Sequence, residues 1–186
     1  MKLTRDIVQE KANLIGFDLI GFSKAELLSE EITRLEEWLT KNCHAGMSYM
    51  EKNIEKRADV SNILKGARSV ISLGLNYYYS DDHSSNKGFG KVSRYAWGKD
   101  YHLVIWEKLD QLIAELKEID PEFEAKSYVD TGPVMDKVWA QKSGLGWIGK
   151  HTNLINSKIG SWFFIATIIT NYDFGSTTII PDHCGS

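Results

Sequence analysis

The chain has 186 residues, 42% of them hydrophobic and 25% charged, and 22 Lys and Arg against 25 Asp and Glu give a net charge of −3. These values are ordinary for a globular protein and exclude disordered and collagen-like chains, and the length predicts one domain or one domain with a short extension. Two cysteines exclude a disulfide framework, and neither a signal peptide nor a membrane-spanning apolar run is present.

Helices and short strands are expected to alternate along the first half of the chain. Apolar residues at helical or strand spacing, bounded by caps and glycines, predict these elements. In chain order they are a helix over 4–15, a strand over 17–22, a helix ending near 42, short helical turns over 43–68 and a strand over 69–77. The polar segment 80–90 that follows is typical of a surface loop.

The second half continues the same alternation. Its strongest helical pattern covers 99–119, followed by a strand over 125–129 and a helix opened by Pro133 and ending near 143. Strands over 153–155 and 161–170 are spaced to pair as a hairpin. This order predicts an α/β (α+β) sandwich with a mixed sheet covered by helices.

A glycine-rich segment from Gly144 to His151 fits the spacing of a dinucleotide fingerprint and nearly fits a phosphate loop. Both motifs place the loop between a strand and a following helix, whereas here it lies between a helix and a following strand. His151 also stands where Ser or Thr would bind magnesium. Three interpretations remain open: a nucleotide-phosphate site, which these two observations disfavour, a tight connection with positive φ angles, or close approach of the backbone to a large, flat ligand.

Two further segments have both a structural and a functional interpretation. Asp130 follows a predicted strand and precedes Pro133, so it either caps the next helix or serves as an active-site acid. The segment from Val92 to His102 contains two cations, three aromatic residues and a histidine. It fits either recognition of an anionic or planar ligand, or an edge strand followed by Asp100 as a helix cap.

The histidines and cysteines do not predict a zinc or copper site. Cys43-His44 has no partners at ligand spacing, and the other histidines are scattered. Cys184-Gly-Ser is how a C-x-x-C cluster motif begins, and the sequence ends one position before a second cysteine would stand.

Six segments, in the same order, resemble the epoxyqueuosine reductase family, cobalamin-dependent iron–sulfur enzymes of tRNA modification. They are Ile54–Arg57, Ser69–Tyr77, Ser93–His102, Val129–Gly132, Gly144–Lys150 and Gly160–Trp162. Each alone is a weak signal, but their order over nearly the whole chain is specific. The resemblance implies a cobalamin-binding catalytic domain over 1–180. It also implies that 181–186 is the truncated start of a ferredoxin-like [4Fe–4S] domain that is otherwise missing.

The family resemblance further implies a reaction and its residues. Epoxyqueuosine at the tRNA wobble position would be reduced to queuosine, with Asp130 as the proton donor in a dry, apolar site. Cobalamin contacts would be made by Arg57, Ser93, Asp130, Leu154, Asn156 and Ile165, and Cys184 would be the first ligand of an incomplete [4Fe–4S] motif. The isolated chain, lacking the clusters, would not turn over.

Partners and alternatives follow from the same resemblance. A tRNA carrying epoxyqueuosine, bound mainly outside this chain, and an external electron donor are expected, for a cytoplasmic monomer without a membrane partner. The alternatives are a cobalamin-dependent reductase of another substrate, such as an organohalide, and a noncatalytic corrinoid-binding domain.

Overall fold

The computed structural model describes residues 2–185. Met1 and Ser186, the outer ends of the two expected domains, lie outside the described residues. The α-helices are α1 Arg5–Ile15, α2 Ser29–Thr40, α3 Ile54–Ala58, α4 Tyr101–Ile119 and α5 Asp136–Lys142. The strands are β1 Leu19–Lys24, β2 Ser69–Asn76, β3 Ala125–Tyr128, β4 Trp147–Ile148, β5 Leu154–Ile155 and β6 Phe163–Thr170.

Four of the strands form the main sheet in the order β1-β2-β6-β3, and every neighbouring pair is antiparallel. The expected mixed sheet was therefore wrong in its strand directions. The expectation rested on helices alternating with strands, an order that usually places helices on both faces of a sheet with parallel strands. Here the same double coverage occurs in an antiparallel sheet.

Helices cover both faces of this sheet, which confirms the sandwich. On β2, Ile71 packs into a core with Val8 of α1 and Leu109 of α4. The preceding residue, Val70, faces the opposite side and packs into a core with Leu35 of α2. Neighbouring residues thus supply opposite cores, as strand geometry requires, and each fully buried Leu or Ile contributes roughly 1.5–3 kcal/mol.

Two predicted element starts and one predicted strand pairing differ in the structure. β1 begins at Leu19 because Gly16, at φ 95°, caps α1 and directs the amide of Phe17 to the carbonyl of Ala12. α5 begins at Asp136, three residues after Pro133. The expected hairpin was wrong, since β5 pairs with β4, while Asn156 and Gly160 only close the turn before β6.

Over residues 2–185, the structure contains no helix both long enough and apolar enough to cross a bilayer.

Candidate active site

Asp130 occupies a tight turn directly after β3. Its φ is +42°, a left-handed conformation that Asp tolerates better than most residues. The amide of Thr131 donates to the carbonyl of Val129 and closes the turn. The capping interpretation was wrong, because α5 starts only at Asp136 and has no side-chain cap. The Asp130 carboxyl group therefore does not serve as the cap of α5.

The start of α4 holds both oxygens of this carboxyl group. The Tyr101 hydroxyl donates to Oδ2, and His102 Nε2 lies 3.0 Å from Oδ1. His102 Nδ1 in turn lies 2.8 Å from Asp100 Oδ1, which also accepts the backbone amide of His102 as the cap of α4. The Tyr101 ring stacks on Phe164 of β6, with 4.1 Å between the ring centroids, and this contact fixes the Tyr101 side chain against the sheet.

These contacts change the pKa values of both Tyr101 and His102. Partial burial lowers the pKa of His102, but the hydrogen bonds to Asp130 and Asp100 outweigh it and raise the pKa above its ordinary value. Burial, followed by the hydrogen bond to Asp130, raises the pKa of the Tyr101 phenol. His102 is therefore the more readily protonated and deprotonated partner of Asp130 near neutral pH.

The Asp130 carboxyl group lies on the wall of a largely apolar pocket of about 420 Å³. The lining combines the first three residues of β6, the turn before α5, the start of α5 and single residues from earlier in the chain. The lining residues are Met50, Arg57, Tyr101, Asp130, Val134, Met135, Asp136, Lys137, Val138, Phe163, Phe164 and Ile165. The Asp130 side chain itself is 53% exposed. The dry surroundings expected for it are thus not completed by the described residues alone.

Arg57 and Asp136 bring charge to this pocket. The Nε atom of Arg57 is buried and has no hydrogen-bond partner among the described residues. Asp136 Oδ1 accepts a 2.6 Å hydrogen bond from the hydroxyl of Thr167. Burial raises the pKa of Asp136 to about 6, against the opposing effect of that hydrogen bond. Two acids and an unpaired guanidinium therefore border one apolar surface.

The remaining predicted site residues lie at different distances from this pocket. Leu154 and Ile165 line an adjoining pocket of about 240 Å³, and Ile165 lines both. Asn156 is buried and donates to the carbonyl of Leu145, while its Oδ1 accepts two amides of its own turn. Ser93 is exposed and lines neither pocket.

Cys184 belongs to an irregular C-terminal segment, where its amide donates to Asp182. Within residues 2–185, no three His, Cys, Asp or Glu side chains form a group that could hold a metal ion. Its expected role as a cluster ligand stays a prediction.

The glycine-rich segment is a tight connection between α5 and β4. Gly144 has a φ of +75°, as the structural interpretation predicts. A Cβ atom at Gly146 would lie 2.1 Å from the carbonyl oxygen of Ile155. The space at Gly146 is thus filled by the chain's own backbone, which does not support close approach of a flat ligand at that residue.

The aromatic and basic segment is not the edge strand of the structural interpretation. It forms a short 3₁₀ turn at Arg94–Ala96. The Arg94 guanidinium lies 5.1 Å from the ring centroids of both Trp97 and Trp162. Asp100 caps α4 as expected, which places Tyr101 and His102 in the first turn of that helix.

Sequence reasoning missed three groups of this site. Tyr101 and His102 belong to the segment from Val92 to His102, for which ligand recognition was one interpretation, yet no pattern in it showed that both would contact Asp130. Asp136 had no distinguishing signal, since an acid in the first turn of a helix is common. The available sequence signal for the first two was their position beside Asp100 at the start of a predicted helix.

Comparison with known proteins supports one family. Residues 57–131 match the family described as epoxyqueuosine reductase QueG, DUF1730. The epoxyqueuosine reductase of Leadbetterella byssophila is 46% identical over 172 residues, covering 92% of this chain and 56% of that protein. The epoxyqueuosine reductase of Cellulophaga algicola is 46% identical over 181 residues, covering 97% of this chain and 58% of that protein. The chain thus spans somewhat more than half the length of these relatives.

Solved structures agree with this result. A crystal structure of epoxyqueuosine reductase with an epoxyqueuosine-modified tRNA-Tyr stem loop matches with a TM-score of 0.90 and 34% identity, over 98% of this chain and 49% of that one. The Bacillus subtilis enzyme was solved with its Asp-bearing catalytic loop swung out of the active site. It matches with a TM-score of 0.87 and 32% identity, over 98% of this chain and 49% of that one.

A more distant neighbour shares only the fold. A reductive dehalogenase described in terms of B12-dependent dehalogenation matches at a TM-score of 0.61 and 10% identity, over 98% of this chain and 21% of that one. The 46% identity with epoxyqueuosine reductases favours that family over the organohalide alternative. Over the part of those enzymes that it spans, the chain belongs to the epoxyqueuosine reductase family.

Proposed function

We propose that this chain is the cobalamin-binding catalytic domain of an enzyme that reduces epoxyqueuosine to queuosine in tRNA, with Asp130 as the proton donor. The position of Asp130 carries the proposal. Its carboxyl group is held by two neighbouring donors on the wall of an apolar pocket, in a left-handed turn that serves no helix cap. Strained backbone of this kind is concentrated at functional sites.

The Bacillus subtilis relative supports an aspartate in this role, because it is described with a catalytic loop, identified by an aspartate, swung out of the active site. Asp130 lies on a loop after a strand and matches the acid of the family motif Val129–Gly132. The chemistry also needs an acid there, since opening an epoxide leaves a negatively charged oxygen that must be protonated.

The residues that line the pocket suit one face of the corrin ring of cobalamin. A corrin ring is broad, flat and largely apolar on its faces, and Val134, Phe163 and Ile165 offer such a surface. The buried, unpartnered Nε of Arg57 needs an acceptor, and the amide and phosphate oxygens of cobalamin could meet that need. When bound, cobalamin would supply a low-valent cobalt that delivers two electrons.

We assign the other contacts from the family resemblance, since Ser93 and Asn156 line neither pocket. Leu154, Asn156 and Ile165 would contact the ring edge or the nucleotide tail, and Ser93 would contact the cofactor from the aromatic segment. Cys184 would be a ligand of a [4Fe–4S] cluster in the domain beginning at 181, beyond the catalytic domain of 1–180. We further propose that the enzyme is a cytoplasmic monomer, and that its partners are the tRNA and an external electron donor.

Binding is the first test. Cobalamin is titrated into this chain while its absorption spectrum and the tryptophan fluorescence are followed. We expect saturable one-to-one binding that Arg57→Gln weakens at least tenfold. Arg34→Gln, on the exposed face of α2, serves as the matched control and should bind normally. Absence of saturable binding to the wild-type chain would overturn the claim that these residues form the cofactor site.

The second test addresses Asp130. The chain is completed with the remaining part of the Leadbetterella byssophila relative, and conversion of epoxyqueuosine in tRNA is measured by mass spectrometry. Asp130→Asn, which suits the left-handed turn, should lower the rate on the order of 10²-fold or more while cobalamin binding is kept. Asp110→Asn, on the exposed side of α4, is the control. Equal rates for Asp130→Asn and wild type would exclude Asp130 as the acid.

A further inference from the structure

The proposed reaction consumes two protons for each epoxide, and this requirement leads to a further assignment that rests on the proposed function. Removal of the epoxide oxygen as water breaks two C–O bonds and forms one C=C bond. The step takes two electrons from the external reductant and two protons. The Asp130 carboxyl group can deliver only one proton before it must be reloaded.

We propose that His102 is the proton-relay residue that supplies the second proton, passing it from Nε2 to the carboxylate of Asp130. The two groups are already in contact, with Nε2 lying 3.0 Å from Oδ1. Asp130 lines the pocket, whereas His102 lies behind it and does not. His102 thus acts through Asp130 rather than on the substrate.

Asp100 makes this transfer directional. Its Oδ1 lies 2.8 Å from His102 Nδ1 and also caps α4, so the same carboxylate fixes the helix and the imidazole ring. With the Nδ1 proton retained by Asp100, the proton free to leave is the one on Nε2. The Asp100 side chain is 58% exposed and that of His102 is 24% exposed, so water can reload the pair.

Among the described residues, the other proton carrier in contact with Asp130 is Tyr101. Burial and the hydrogen bond to Asp130 raise the pKa of this phenol, which makes it a poor source of a proton. The titratable groups placed against the His102 ring are Asp100, Asp130 and stacked Tyr101, whose ring centroid is 4.0 Å away. The two carboxylates stabilise the imidazolium form, and their hydrogen bonds keep the pKa of His102 above its ordinary value despite partial burial.

The pH dependence of the reaction rate follows from the raised pKa of His102. The relay is filled while His102 is protonated and empties as the pH rises through its raised pKa. In the completed enzyme, the single-turnover rate of wild type should therefore fall as the pH rises through this pKa, which gives the pH profile a descending limb. His102→Gln can still donate a hydrogen bond to Asp130 but carries no transferable proton. We expect it to be slower on the order of tenfold to hundredfold at low pH, and to lack the limb.

Rescue and a control separate proton supply from structure. Added imidazole should restore part of the rate of His102→Ala. His83→Gln removes a histidine that contacts Val92 instead, and should leave the pH profile unchanged. A wild-type rate and pH profile for His102→Gln would overturn the relay, since it would show that a hydrogen bond alone suffices.

A second readout needs no activity. In this chain, the His102 ring is followed by NMR during a pH titration, and its pKa should be lower in Asp130→Asn and in Asp100→Asn than in wild type. An unchanged His102 pKa in Asp130→Asn would overturn the coupling. If wild-type completed enzyme left epoxyqueuosine unconverted, the proposed function would fail, whereas the NMR result would still decide whether the two side chains share a proton.

Discussion

Thr167 on β6 donates a 2.6 Å hydrogen bond to the carboxyl group of Asp136, the first residue of α5. Thr167 is fully buried in the central part of the sheet, where it pairs with both Ser72 and Tyr128. A rigid strand thus holds a titratable acid at the pocket wall. Because this carboxyl group is desolvated, its ionisation affects the stability of the whole fold.

Asp136→Asn should therefore stabilise the protein at alkaline pH. The pKa of Asp136 is about 6 in the folded protein against 3.8 ordinarily, so the folded state binds the proton more tightly. The wild-type free energy of unfolding should fall as the pH rises between these two values, and the Asn variant should not share that loss. We expect the variant to be more stable by ~1–3 kcal/mol at about pH 8 and nearly equal at about pH 4.

Urea unfolding at both pH values measures this difference. The Asn side chain keeps an acceptor for Thr167, so the hydrogen bond does not confound the comparison. Asp110→Asn, on an exposed face, is the matched control and should show little change at either pH. A stability difference between Asp136→Asn and wild type that is the same at both pH values would contradict the prediction.

Gly132→Ala should disturb the turn that carries Asp130. A Cβ atom at this position would lie 2.1 Å from Cδ1 of the Tyr128 ring, far inside contact distance. The ring has to move, and we expect a loss of about 1–3 kcal/mol in the free energy of unfolding. Gly46→Ala introduces the same methyl group into open space and serves as the control. Equal stability of the two variants in urea would show that the turn yields easily.

Tyr101→Phe should separate the two contacts of the Tyr101 side chain. The variant keeps the ring that stacks on Phe164 and removes the hydroxyl that donates to Asp130. Because the carboxyl group remains partly in water, we expect a loss of only about 1 kcal/mol on unfolding. Tyr79→Phe, at an exposed ring, is the control. A loss of several kcal/mol, measured by urea unfolding, would indicate that the hydroxyl supports the fold rather than the acid.

Sequence periodicity predicted most helices and strands because their cause is local. α4 shows why, since its buried residues recur at helical spacing and Asp100 precedes it as a cap. Strand direction and pairing depend on contacts distant in sequence, so the antiparallel sheet and the partner of β5 did not follow from local pattern. The same limit applied to the candidate site. Asp130 had a motif, but its contacts with Tyr101 and His102 join residues about thirty positions apart.

Arg94 holds together the irregular segment between β2 and α4. Its guanidinium lies between the rings of Trp97 and Trp162, and it donates to the backbone carbonyls of Tyr79 and Asp81. A planar, delocalised cation suits both kinds of contact, whereas the compact ammonium group of lysine does not.

Arg94→Ala should consequently loosen this segment without unfolding the sheet. We expect faster hydrogen exchange over 78–98 and cleavage within 80–90 by added protease, with exchange in β2 and β6 unchanged. Arg94→Lys should be intermediate, because it keeps the charge and loses the planar stacking. Lys91→Ala, at an exposed neighbour, is the control. Since Tyr101 and His102 follow this segment directly, exchange at the start of α4 shows how far the disturbance reaches toward Asp130. Unaltered exchange throughout 78–98 in Arg94→Ala would mean that the aromatic residues hold the segment on their own.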